Sequence, residues 1–248
     1  MYGLIASVIK RPYVFIFLAA YLFLAWRRWG WRRTLLWLVS GYGIAWLSEF
    51  SSIHNGFPYG EYHYIYENMP GELMVAGVPF FDSLSYPFLI FAGFTTAAFM
   101  LRKKVSGYGL RQLAQIAILG AALTTLLDVI IDPVAERGAQ WFLGEIYYYA
   151  HPGWYFGVPL TNFAGWFLVP LAVIAFNMLI WRTAPDFFQP RPCRRAELLY
   201  PAFYTGIALF NIVVTFWIGA WKLGLCSSGI LLLVIAFLAT HKTLNPKS

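Results

Sequence analysis

Long apolar runs separated by short, strongly basic connections leave this chain one environment in which to fold. Seven such runs can be drawn, roughly 8–26, 34–54, 80–101, 110–131, 158–181, 198–218 and 222–240. Each comes close to the stretch of about 20 residues that a helix needs to cross a bilayer. A membrane barrel would instead alternate over segments of about 10 residues. Composition agrees, with 60% apolar and 12% charged residues, where soluble domains carry about 25% charged. The expected fold is an all-α integral membrane bundle of about seven transmembrane helices, one domain over 1–248. The first run is the weakest, because Lys10-Arg11-Pro12 interrupts it. It has the look of a signal peptide, but no small-residue cleavage site follows, and the arginines behind it suit a retained anchor.

The net charge of +7 could suggest nucleic acid, but its distribution argues for topology. Basic clusters fall at Arg27–Arg33, Arg102–Arg111 and Arg182–Arg195, between alternate spans, as the positive-inside rule requires. With the N-terminus outside and the C-terminus cytoplasmic, 14 of the 18 Lys and Arg lie inside. Nine of the 11 carboxylates lie at or beyond the outer helix ends. The polar chemistry is therefore expected on the outer face, in the plasma membrane. Cys193 and Cys226 are far apart in sequence and form no disulfide or metal framework.

Two long outer connections, about 55–79 and 132–157, are dense in Tyr, Trp, Gly and Pro. They exceed simple turns, and their composition suits segments lying along the headgroups. They also resemble each other. Gly77-Val78-Pro79 aligns with Gly157-Val158-Pro159, Asp82 with Asn162 and Tyr86 with Trp166, while Glu49 comes within one position of Asp128. The expected organisation is a parallel tandem repeat, about 34–101 and 110–181, around an axis along the membrane normal.

Candidate chemistry concentrates in those two stretches. Glu49 and Asp128 sit in the outer thirds of their spans, where a carboxylate costs about 2.5–3.5 kcal/mol on insertion scales and usually faces the bundle interior or water. Burial disfavours the charged form, and a carboxyl kept neutral is a competent general acid. The other reading is a hydrogen-bonding partner that fixes helix packing. Asp132 follows Asp128 by four residues, on the same helix face, and Pro133 is expected to end that face. Asp132 then either couples to Asp128 or satisfies loop backbone. Asp82 and Asn162 stand three residues past their Gly-Val-Pro turns, as helix caps or as site residues facing one another.

His54, Glu61, His63 and His151 lie just outside the spans. Their spacing is not the Glu-x-x-His of bundle di-iron sites, so interfacial hydrogen bonding is favoured over metal ligation. Tyr62, Tyr64, Tyr86, Trp154 and Trp166 sit beside the acids, where rings could line a channel for a flat conjugated ligand or stabilise a cation. Lys222 lies too early in its span for a retinal linkage. The Gly-x-Gly pairs at 41–43 and 107–109 lack a nucleotide-binding context, and no serine sits in a nucleophile elbow.

The set Glu49…Gly56-Phe-Pro-Tyr-Gly60-x-Tyr62-x-Tyr64…Gly77-Val-Pro79, then Asp128…Asp132-Pro133…Gly157-Val-Pro159-x-x-Asn162-Phe-x-Gly165-Trp166, resembles the membrane-bound carotenoid biosynthesis family over roughly residues 34–220. That family includes carotenoid 1,2-hydratases acting on gamma-carotene and on bisanhydrobacterioruberin. The first copy departs from the second in having Asp82 for Asn162 and Tyr86 for Trp166. The resemblance implies hydration of the terminal double bond of an acyclic carotenoid end, with no redox cofactor. Substrates would be of the lycopene, gamma-carotene or bisanhydrobacterioruberin type, with membrane lipid as the other partner. Asp128 or Glu49 would donate the proton, and Asp132 would orient the water with Asn162. The rings, with Asp82 and His54, would bind the substrate. A cyclase, in which the cation loses a proton instead, and a non-enzymatic carotenoid or lipid carrier are the alternatives.

Overall fold

The computed structural model describes residues 2–101, 109–181 and 197–243. Eight helices run through these residues: α1 Tyr2–Lys10, α2 Pro12–Trp29, α3 Trp31–Asn55, α4 Phe80–Met100, α5 Leu110–Ala135, α6 Leu160–Trp181, α7 Leu199–Trp217 and α8 Trp221–Thr243. Four short strands join them: β1 Tyr62–Tyr64, β2 Met74–Val75, β3 Val78–Pro79 and β4 Tyr147–Tyr149. The expected all-α membrane bundle is what the chain forms. Helices α4 to α8 are long and apolar enough to span. α3 has the length, at 25 residues, but Arg32, Arg33, Glu49 and its serines make it less apolar. α1 and α2 meet at a bend of 92°, so the first expected span is broken at Arg11 rather than continuous from residue 8. Cys226 is a free, exposed thiol on α8; Cys193 and much of the expected basic clusters at 102–111 and 182–195 lie outside the described residues.

α4 is the centre of the bundle. Of its most apolar stretch, 83% is buried, against 28% for α8 at the periphery. It contacts α2, α3, α5, α6 and α7. Small residues permit the closest approach: a Cβ at Gly93 would meet the Gly120 carbonyl of α5 at 2.6 Å. Such small-residue contacts let membrane helices pack on dispersion alone. Side chains lock the seams onto backbone that cannot find water. Trp37 Nε1 donates to the Pro87 carbonyl (3.0 Å), Thr125 Oγ1 to that of Trp166 (2.9 Å) and Tyr204 to that of Leu123 (2.8 Å).

At the end of the bundle that carries Asn55 and Phe80, the two long connections fold over the helices. β1 pairs antiparallel with β4, Tyr62 opposite Tyr149 and Tyr64 opposite Tyr147, so the connections tie to each other. Arg11, 1% exposed, holds them to the first helices. Its Nη2 reaches Glu72 Oε1 at 2.9 Å, its Nη1 donates to the Leu143 carbonyl, and its guanidinium lies 4.8 Å from the Phe81 ring centre. Both Gly-Val-Pro motifs make tight turns into the following helix. Ala76 and Gly77 have φ of 49° and 82°, Phe156 and Gly157 of 52° and 101°, the left-handed pair a two-residue reversal requires.

Candidate functional site

α3 and α5 arrive at this end, and α4 and α6 leave from it. Their polar residues therefore meet. Glu49, Asp82, Asp128, Asp132 and Asn162 line one cavity of about 140 Å³, together with Tyr59, Tyr62, Tyr64, Tyr86, Tyr147, Tyr149 and Trp166. Asp128 and Asp132 do project from one face of α5, and that face looks toward Glu49. The helix continues past the expected stop, through Pro133 to Ala135. Proline there removes the donor that would have bonded the Val129 carbonyl, and Arg137 donates to the Pro133 carbonyl near the helix end.

The acids are held by side chains rather than by loop backbone or helix ends. Asn162 Nδ2 donates to Asp128 Oδ2 at 2.8 Å and to Asp132 Oδ2 at 3.1 Å. Asp132 also accepts from Tyr149 at 2.7 Å and from Tyr147. Among the described residues Asp132 thus accepts three hydrogen bonds and Asp128 accepts one. Across the cavity, Ser83 Oγ donates to Glu49 Oε2 at 2.9 Å, and Tyr64 donates to Asp82 Oδ2 at 2.7 Å. Asp82 and Asn162 thus bond side chains within the cavity, and the N-cap of α4 has no side-chain hydrogen bond.

Burial drives the phenols of Tyr62, Tyr64, Tyr147 and Tyr149 well above their ordinary range, with nearby carboxyls adding to the shift. Each remains a protonated donor. Two of these, Tyr147 and Tyr149, and Tyr59 were not singled out from sequence. The signal was present, because Tyr147-x-Tyr149 repeats the spacing of Tyr62-x-Tyr64. The remaining wall is aromatic. Tyr86 stacks on Trp166 at 4.2 Å and 9°, with Tyr59 6.3 Å from each.

Two expected substrate residues fall outside. Trp154 is 78% exposed, as an interfacial ring would be. His54 is exposed and bonds its own helix through the Phe50 carbonyl at 2.7 Å. His63 stands 3.6 Å from Glu61, both on the surface, and among the described residues no three His, Cys, Asp or Glu form a metal-ligating group.

The arrangement can place a proton on an apolar guest, hold a water and face a cation with rings. Comparisons with known proteins bear on which guest. The family model described as carotenoid biosynthesis protein matches residues 10–235. A stretch of 137 residues is 30% identical to bisanhydrobacterioruberin hydratase of Haloarcula japonica. That match covers 55% of this chain but 41% of the relative's own length. No solved structure matches.

Proposed function

Since the chain belongs to the carotenoid biosynthesis protein family, we propose that it is a carotenoid 1,2-hydratase, adding water to the terminal C1=C2 bond of an acyclic carotenoid end without a redox cofactor. The observation that carries this reading is the unequal Asp128–Asp132 pair. Asp132 accepts three hydrogen bonds, from Tyr147, Tyr149 and Asn162, while Asp128 accepts one. Asp128 is the proton donor in this reading. Its proton goes to C2, the π electrons form the new C–H bond, and C1 becomes a tertiary cation. Water held beside Asp132 bonds to C1 through oxygen and gives a proton back to the pair. The pair ends each turnover with the one proton it began with. Tyr86, Trp166 and Tyr59 face the cation, an attraction worth about 2 kcal/mol or more where desolvated.

Glu49 is the second candidate for the donor. It lies across the same cavity, with Ser83 fixing one oxygen. The two halves are read as copies of one unit: Glu49–Ser83 bridges α3 to α4, and Asp128–Asn162 bridges α5 to α6. Both halves use the same left-handed turn, and β1 pairs antiparallel with β4. The site end is assigned to the outside of the plasma membrane because Arg27, Arg28, Arg32 and Arg33, at the junction of α2 and α3, lie at the other end. Support for the substrate class comes from the relative's name, and lycopene, gamma-carotene and bisanhydrobacterioruberin types all present such an end.

The test is pigment mass in a lycopene-producing host expressing the chain. Gain of one water per reacted end supports the hydratase. Isomerisation at constant mass would make it a cyclase, and bound but unchanged pigment would make it a carrier. Within an active protein, Asp128→Asn should lower hydration by about 10²–10⁴-fold, the usual worth of a general acid. Hydration retained by both Asp128→Asn and Glu49→Gln removes the acid assignment.

A further inference from the structure

The cavity has an apolar arm that the carboxyl chemistry does not use. Val14 and Phe17 of α2, Phe88 and Leu89 of α4, and Ile207 of α7 line it, continuous with the acids. The cavity is partly open, and at about 140 Å³ it takes an end group and leaves the rest of a long polyene without room. That remainder must pass between helices, and most seams are shut by backbone. α4 and α5 meet at Gly93 and Gly120, and α3–α4, α5–α6 and α5–α7 are bridged by side chain-to-carbonyl hydrogen bonds.

The seam between α2 and α7 is built differently. Each packs on α4, with little direct contact between them. Among the described residues no hydrogen bond joins residues 12–21 of α2 to α7. Rings close the gap instead: Tyr13 stacks on Phe210 at 5.4 Å, and Phe17 stands 5.6 Å from Phe210 and 6.3 Å from Phe203. These four rings are only partly buried, and their neighbours Ile16 and Val213 are 65% and 64% exposed on the apolar outer surface. At the opposite end the same two helices are pinned, with Arg28 3.9 Å from Glu197 and 4.8 Å over the Tyr200 ring. A seam pinned at one end and closed by rings at the other opens by side-chain rotation, which breaks no backbone hydrogen bond and is fast.

We propose that the α2–α7 seam is a lateral gate, closed by Tyr13, Phe17, Phe203 and Phe210, through which the polyene tail of the substrate lies while its end group occupies the cavity. This rests on the carotenoid-hydratase reading of the site. The polyene is the occupant rather than a lipid acyl chain because the seam is closed by four rings and the arm behind it leads to an acid pair held by hydrogen bonds, which suits a flat conjugated chain with a reactive end.

The experiment uses full-length protein in membranes, with Cys193 and Cys226 replaced by Ser and the pair Phe17→Cys/Phe210→Cys introduced. A short bifunctional methanethiosulfonate bridges the two thiols, and a reductant releases them. Hydration of added acyclic carotenoid should be at least tenfold lower in the bridged form than in the released form of the same sample. Full activity in protein shown bridged by intact mass overturns the gate. If the unaltered protein binds pigment without hydrating it, the hydratase reading fails and the comparison is made on bound pigment, where equal binding bridged and released overturns the gate. A protein that neither hydrates nor binds carotenoid overturns both. Should the double variant not fold, Ile207→Trp fills the passage behind the rings. A KM raised severalfold with kcat held supports the gate, and an unchanged KM overturns it.

Discussion

Asp132 gathers three donors from two other elements, Tyr147 and Tyr149 of β4 and Asn162 of α6. Removing one donor is therefore a graded perturbation. Tyr149→Phe leaves the ring in place and deletes a bond to a charged acceptor, a loss of about 1.5–3 kcal/mol. Hydration should drop by about tenfold or more in protein that still folds, with melting in detergent lowered by only several degrees; loss of folding with no specific rate effect contradicts the assignment. One turn beyond Asp132 stands Glu136, half-buried, with its Oε1 unpartnered among the described residues. Burial pushes its carboxyl up from 4.5 to about 7, with Asp132 and Glu145 adding and Arg137 opposing. A folded-state value above the unfolded one means the neutral form is favoured in the fold. Stability is then fully present below about 4.5 and is lost as pH rises toward 7. Glu136→Gln cannot ionise. Its melting temperature should fall less than the parent's across that interval, and parallel curves would count against the shift.

Among the elements, α6 and the first connection come closest at Gly165. A Cβ there would meet Tyr59 Cε1 at 2.8 Å and the Pro58 carbonyl carbon at 3.1 Å. Tyr59 is 2% exposed and bonds Ser48 at 2.9 Å, so the ring cannot swing away cheaply. Gly165→Ala should cost about 1–3 kcal/mol by overpacking and displace a ring from the cavity wall. Melting and hydration should therefore fall together, and a variant as stable as the parent refutes the close approach. Element boundaries were largely legible: the run read as 80–101 is α4 at Phe80–Met100, and that read as 158–181 is α6 at Leu160–Trp181. Apolar length alone sets such limits. The strands were not legible, because three residues carry no periodicity and the partner of Tyr62 lies at Tyr149.

Across the whole molecule, Arg11 and Glu72 form an ion pair with side chains 2% and 0% exposed. The pair joins the α1–α2 bend to one connection, and Arg11 reaches the other through Leu143. Breaking a buried pair from one side strands the partner's charge, at about 3–5 kcal/mol. Glu72→Ala and Arg11→Leu should each lower stability by that order, and the double variant by clearly less than their sum. Additive losses would mean the two are not coupled.

Read alone, the sequence determined the solvent, the approximate spans, the end of the bundle that holds the acids and the four-residue spacing that aims Asp128 and Asp132 together. Each follows from local composition or helix period. Tertiary structure alone decided which neighbours those acids have. It turned Arg11 inward at a 92° bend, where the sequence showed only an interruption of the first apolar run. It paired two tyrosine strands over the cavity and left His54 and Trp154 outside. The physical reason is range: the period of a helix is set within a few residues, whereas a hydrogen bond from Tyr149 to Asp132 or a seam between α2 and α7 exists only once distant segments have packed.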